Sequence, residues 1–116
     1  MKPLGVLVIE KGAEAALMCA ALAKRPDVRV LEARDVRAAL ERLKTEPAAL
    51  AIVGPDALNE AKELHARGIT VVAVVADLPA AERERALAAG VAEIHDRPMA
   101  WRAYSELIES LVSRFG

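Results

Sequence analysis

A chain of 116 residues is near the usual size of one domain, and 16 basic against 17 acidic side chains leave a net charge of −1. That balance, with both signs interspersed, offers no basic stripe for a phosphate backbone and no polybasic membrane patch. Hydrophobic residues make up 54% of the chain but aromatics only 3%, so the core must be aliphatic. A base-stacking surface or aromatic cage has no material outside the C-terminal stretch holding Trp101, Tyr104 and Phe115.

Taken in order, apolar runs of strand length alternate with segments of helical period five times. The opening MKPLGVLVIEKG contains an apolar run too short for a signal peptide or a membrane span. It reads as a strand over Leu4 to Ile9, followed by a helix over Ala13 to Lys24 that Arg25-Pro26-Asp27 stops. The second unit is a strand over Val28 to Glu32 and a helix over Val36 to Thr45, ended by Glu46-Pro47. The third is Leu50 to Val53 with a helix over Ala57 to Arg67, and Gly68 at the C-terminal cap. The fourth is Thr70 to Ala76 with a helix over Ala80 to Ala89, then Gly90. The fifth is Val91 to His95 with a helix over Ala100 to Phe115. The last helix has an apolar face at Tyr104, Leu107, Ile108, Leu111 and Phe115. The fourth helix buries little beyond Leu87 and its alanines, which fits either a solvated, salt-bridged helix or a movable binding surface.

This (βα)5 alternation predicts a doubly wound parallel sheet in three layers. Strands one, three and four (LGVLVI, LAIV, VVAVVA) are continuously apolar and therefore central. Strands two and five carry Arg29, Glu32, Glu93 and His95, as edges do. The order 2-1-3-4-5 satisfies both statements, giving a flavodoxin-like α/β fold over residues 1–116 as one domain, with no output domain.

Ligands of such a sheet collect at the carboxyl ends of its strands. Here those ends carry Glu10, Lys11 and Gly12, then Gly54, Pro55 and Asp56, then Ala76 and Asp77, then Asp96, Arg97 and Pro98. With VLVIEKG, AALAIVGPDA, VVAVVAD and AAGVAEIHDRPM in that order, the chain resembles the receiver domains of two-component response regulators, over nearly its whole length. The resemblance implies an acidic pair for Mg²⁺, an Asp phosphoacceptor, a Thr or Ser, an aromatic switch residue and a Lys before Pro. Oxygen ligands hold the hard cation, and cation and lysine neutralise phosphoryl charge. Carried onto this sequence, the acidic pair falls on Glu10 and Lys11 and the acceptor on Gly54. The hydroxyl falls on Val75, the aromatic on Ile94 and the lysine on Arg97.

That pattern implies an atypical, non-phosphorylatable receiver-like protein of two-component signal transduction and its phosphorelay pathways. Asp56 is expected to cap or open the third helix rather than accept phosphate. Lys11 and Arg97 are expected to approach Glu10 in an internal ion pair, and Arg97-Pro98 to hold a cis bond. The segment from Gly54 to Thr70 is shorter than receivers normally use, so the rim of the site should be trimmed. His65 reads as solvated, and His95 and Asp96 point to opposite sheet faces, so they form no acid–base dyad. Cys19 reads as packing within its helix, and as the lone cysteine it can form neither an intrachain disulfide nor a cysteine-built zinc site. Without G-x-S-x-G, G-x-G-x-x-G or P-loop motifs, an enzyme, a cofactor or a bound metal is not expected. The expected function is protein–protein interaction in a signalling pathway, in the cytoplasm, with another protein or a second copy as partner and no direct nucleic acid. The surface that the resemblance implies is the face of the fourth helix, fifth strand and fifth helix, here including Arg83, Glu93, His95, Trp101 and Arg102. For Trp101, packing on the fourth-helix side is an equal alternative. A different class of function is an anion or small-molecule sensor in the crevice by Gly54, gripped by Lys11 and Arg97.

Overall fold

The computed structural model describes residues 4–115. Five strands, β1 (Leu4–Ile9), β2 (Val28–Ala33), β3 (Leu50–Val53), β4 (Thr70–Val75) and β5 (Val91–Asp96), pair in parallel in the order β2-β1-β3-β4-β5. The order inferred from strand composition is the observed one. Every residue of β3 is buried, and so are all but the first of β1 and β4, whereas the polar side chains of β2 and β5 lie along the two edges. A strand covered on both faces leaves no position for a solvated side chain, which is why its sequence loses alternation.

Helices α1 (Gly12–Leu22) and α5 (Trp101–Phe115) cover one face of the sheet. Alternate strand residues Val6, Val8, Leu50, Ile52, Val72 and Val74 meet Met18, Leu22, Tyr104, Ile108 and Leu111 there. Helices α2 (Val36–Leu43), α3 (Ala61–Ala66) and α4 (Ala80–Ala88) cover the other face. Leu7, Ile9, Ala51, Val53, Val71, Ala73 and Val75 point into that layer. Apart from Ala15, the two clusters contain the described buried core, and no described polar or charged residue is fully buried. Among the described residues, no helix is long and apolar enough to cross a membrane.

Local chemistry accounts for several boundaries and corrects others. Gly68 and Gly90 have φ of +81° and +108°, the left-handed conformation that ends α3 and α4 as expected. Asp35 caps α2, its Oδ1 accepting from the Ala38 N–H at 2.8 Å. The third helix differs from the expectation: Pro55–Glu60 is a 3₁₀ segment capped by Gly54, and only Ala61–Ala66 is α-helical. Asp56 therefore lies in the first 3₁₀ turn and makes no cap bond. The first helix ends at Leu22, short of Lys24. In α4 the expected anchor Leu87 is 47% exposed, and Ala86 is the one buried residue. The Arg97–Pro98 bond is trans, since no cis peptide occurs among the described residues. Trans is the lower-energy form of an X–Pro bond by about 0.5–1 kcal/mol.

Candidate functional site

The carboxyl ends of β1, β3, β4 and β5 bring Glu10, Lys11, Gly54, Val75 and Arg97 to one end of the sheet. The ladder itself fixes their backbones. Gly54 N–H donates to Ile9 O at 3.1 Å, and Arg97 N–H donates to Val75 O at 2.8 Å. Val75 is buried in the α2–α3–α4 layer, and Ile94 packs against the same cluster.

Glu10 dominates the centre. Its Oε1 accepts from the Lys11 N–H at 3.1 Å, which holds the carboxylate over the end of β3. A Cβ built on Gly54 would overlap Glu10 Oε2 and Cδ. The glycine thus leaves the space that the Glu10 carboxylate fills, and a side chain at position 54 would require that flexible carboxylate to swing aside.

The two cations do not converge on Glu10, contrary to expectation. Lys11 is 62% exposed and reaches sideways, its Nζ 3.6 Å from Asp56 Oδ2. The Arg97 guanidinium pairs with Glu14 in the first turn of α1. An acidic residue there also favours the positive end of the helix dipole. Neither Glu14 nor Asp56 as a partner was legible, because the contacts cross between separate β–α units. A cleft of about 170 Å³ opens beside Glu10, lined also by Lys11, Arg34, Asp35, Asp56 and Glu60. Its acids outnumber its bases, and Arg97 is not part of it. An anion gripped jointly by Lys11 and Arg97 has no place in this arrangement.

Beneath the site lies a hydroxyl that the sequence did not single out. Tyr104 is 2% exposed, and its Oη has no hydrogen-bond partner. Burial pushes its pKa up to about 12, with the Glu10 charge adding to the rise and Arg97 opposing it. Cys19, half-buried on α1, is pushed up to about 11 by burial, with Glu32 adding charge and a hydrogen bond. A thiol in that state is protonated at neutral pH and a poor nucleophile.

On the α4–β5–α5 side, the expected interface residues form ion pairs. Arg83 of α4 lies 3.3 Å from Asp96, and Arg102 pairs with Glu106 along α5. Glu93 accepts two bonds from Arg114, at 2.8 and 2.9 Å, and lies 2.6 Å from His95 Nε2. The Arg114 guanidinium, then His95, hold the Glu93 carboxyl below the usual range. His95 thus faces an acid two residues back on the same side of the strand, not the adjacent Asp96. His65 is exposed, as expected, with its ring over Gly90. Trp101 departs from the fourth-helix packing weighed for it. It stacks on Tyr104, with ring centroids 6.2 Å apart, and lines a groove with Glu14 and Leu17 of α1. No α4 residue lines that groove.

Among the described residues, no three His, Cys, Asp or Glu side chains gather as a metal-ligand set. Neither a family model nor a curated protein matches the chain. Its architecture does match solved response regulators. A response regulator from Thermotoga maritima is 18% identical, with a TM-score of 0.77 over 97% of this chain and 99% of the other. The phosphorylated cyanobacterial phytochrome response regulator RcpA is 14% identical, with a TM-score of 0.83 over 97% and 94%. HP1043, an orphan response regulator of H. pylori, is 19% identical, with a TM-score of 0.76 over 97% of each chain. The fold is therefore that of response-regulator receiver domains.

Proposed function

We propose that this protein is a receiver-like signalling protein that takes no phosphoryl group and acts, without catalysis, by binding another protein. The observation that carries the reading is that the end of β3 presents Gly54, which has no side-chain oxygen, beneath the Glu10 carboxylate. Phosphoryl transfer to a receiver needs a carboxylate nucleophile beside a divalent cation. Here position 54 offers no carboxylate oxygen, and the residue beside Glu10 is a lysine that turns away to Asp56. The partner surface in this reading is the α4–β5–α5 face, with Arg83, Glu93, His95 and Arg102 supplying a mixed-charge rim suited to orienting a partner. Response regulators are the structural neighbours, which supports a signalling role.

Incubation with acetyl phosphate and Mg²⁺, followed by intact-mass measurement, tests the first half of the reading. No phosphoryl adduct is expected on the native protein. An adduct that disappears in Asp56→Ala would overturn it. The surface is tested by pull-down with a partner in hand. Charge reversal at Arg83 and Glu93 should abolish capture, and unchanged capture would reject this face.

A further inference from the structure

The stretch from Pro55 to Ala66, the 3₁₀ segment and α3, separates its charges by side. Asp56 and Glu60 line the cleft beside Glu10, next to Asp35 and Val36 of α2. Asn59 and Lys62 instead line a groove of about 310 Å³ whose other wall, from α4, carries Glu82 and Arg85. Glu63 and Glu84 are exposed and line neither. Beneath the groove Leu58 and Ala86, 6% and 4% exposed, form an apolar floor.

The four polar side chains on its walls are unengaged. Among the described residues none of them has an ion-pair or side-chain hydrogen-bond partner, whereas Arg25, Arg42, Arg83 and Arg114 are each held by an acid. Two cations against one acid favour an anionic occupant. The space and the apolar floor exceed the needs of a single inorganic ion. All three aromatic residues of the chain belong to α5, on the opposite face of the sheet, so the groove has no ring on which a nucleobase could stack.

We propose that the groove between α3 and α4 binds an acidic segment of a partner protein, its carboxylates meeting Lys62 and Arg85 and an apolar side chain resting between them on Leu58 and Ala86. The Arg85 guanidinium suits a carboxylate gripped by two parallel bonds, and the Lys62 ammonium a point contact. Ala86 is the one buried residue of α4, so that wall is free to adjust its distance from α3. Glu82 stands against such a segment and lowers its affinity. The inference rests on the reading that the protein works by binding another protein, but not on the α4–β5–α5 face, toward which Arg83 leaves α4 to reach Asp96.

The probe is a fluorescein-labelled hexapeptide, ELEELE, titrated with the full chain and followed by anisotropy, while amide chemical shifts locate the contact. Binding is expected, with shifts at Asn59, Lys62 and Arg85 and a loss of affinity as salt is raised. Lys62→Glu and Arg85→Glu change exposed positions and should retain the native circular dichroism. Together they should weaken binding about tenfold or more, and Glu82→Gln should strengthen it. Glu93→Arg should leave it unchanged, so this groove and the α4–β5–α5 face fail separately. Absence of binding overturns the proposal, as does a basic peptide, KLKKLK, that binds as tightly. It also fails if the double variant binds ELEELE like the wild type, or if inorganic phosphate binds the groove as tightly as the peptide.

Discussion

On one side of the sheet α1 and α5, the two longest helices, press Met18, Leu22, Tyr104, Ile108 and Leu111 onto valines and isoleucine. On the other side three shorter helices bury Val36 and Ala39 of α2, Ala61 and Leu64 of α3 and only Ala86 of α4. A methyl group brings far less buried area than a leucine, at about 25 cal/mol per Å². The first layer is therefore a scaffold, and the second is a covering whose α4 is held by Ala86 and the Arg83–Asp96 pair. The contrast assigns rigidity to the α1–α5 side and adjustability to the α4 side, although both rest on the same five strands.

The contrast can be broken most directly with a pair of truncations. Ile108→Ala in the α1–α5 layer is expected to cost about 3 kcal/mol, the usual range for a fully buried aliphatic side chain. Leu87→Ala on α4 should stay within about 0.5 kcal/mol. Chemical denaturation reads both, and equal losses would mean that α4 is anchored as firmly as α5. A smaller effect of opposite sign is expected inside the scaffold itself. Tyr104→Phe removes a buried hydroxyl without a partner and should stabilise the fold by about 1 kcal/mol, because unpaired buried polar groups carry a desolvation cost. A loss of stability would mean that the hydroxyl is satisfied in solution. The smallest effect concerns the tie between β5 and α5. The folded-state pKa of Glu93 lies below its ordinary value of 4.5, so its stabilisation is present above that value and is lost as pH falls through the lowered one. Denaturation midpoints of the wild type and Glu93→Gln should therefore differ at neutral pH and converge in acid. A gap that persists at low pH would show that the Glu93–Arg114 pair is not its source.

Strand order was legible because burial on both faces writes itself into composition, as LAIV and VVAVVA show against VRVLE and VAEIH. The helical cap residues Gly68 and Gly90 were legible for a similar reason, since a left-handed turn selects its residue. The third helix was not. Pro55 and the alanines after it suit a 3₁₀ turn and an α-helix equally, so local composition does not choose between them. The site was legible in its members and not in its partnerships. Glu10, Lys11, Gly54 and Arg97 do meet at one end of the sheet, but local sequence says nothing of Arg97 reaching Glu14, Lys11 reaching Asp56, or Glu93 reaching Arg114. Leu87 misled because an apolar residue at a helical position looks like an anchor whichever way the helix is turned.

The lodging of Glu10 over Gly54 ties the end of β1 to the end of β3 through one movable group. A side chain introduced at position 54 would need the Glu10 carboxylate, the free end of a flexible and part-exposed side chain, to swing toward the open cleft beside it. A larger residue at 54 is then accommodated by a change of rotamer at 10 and not by a shift of the backbone. The two positions communicate through where one carboxylate rests.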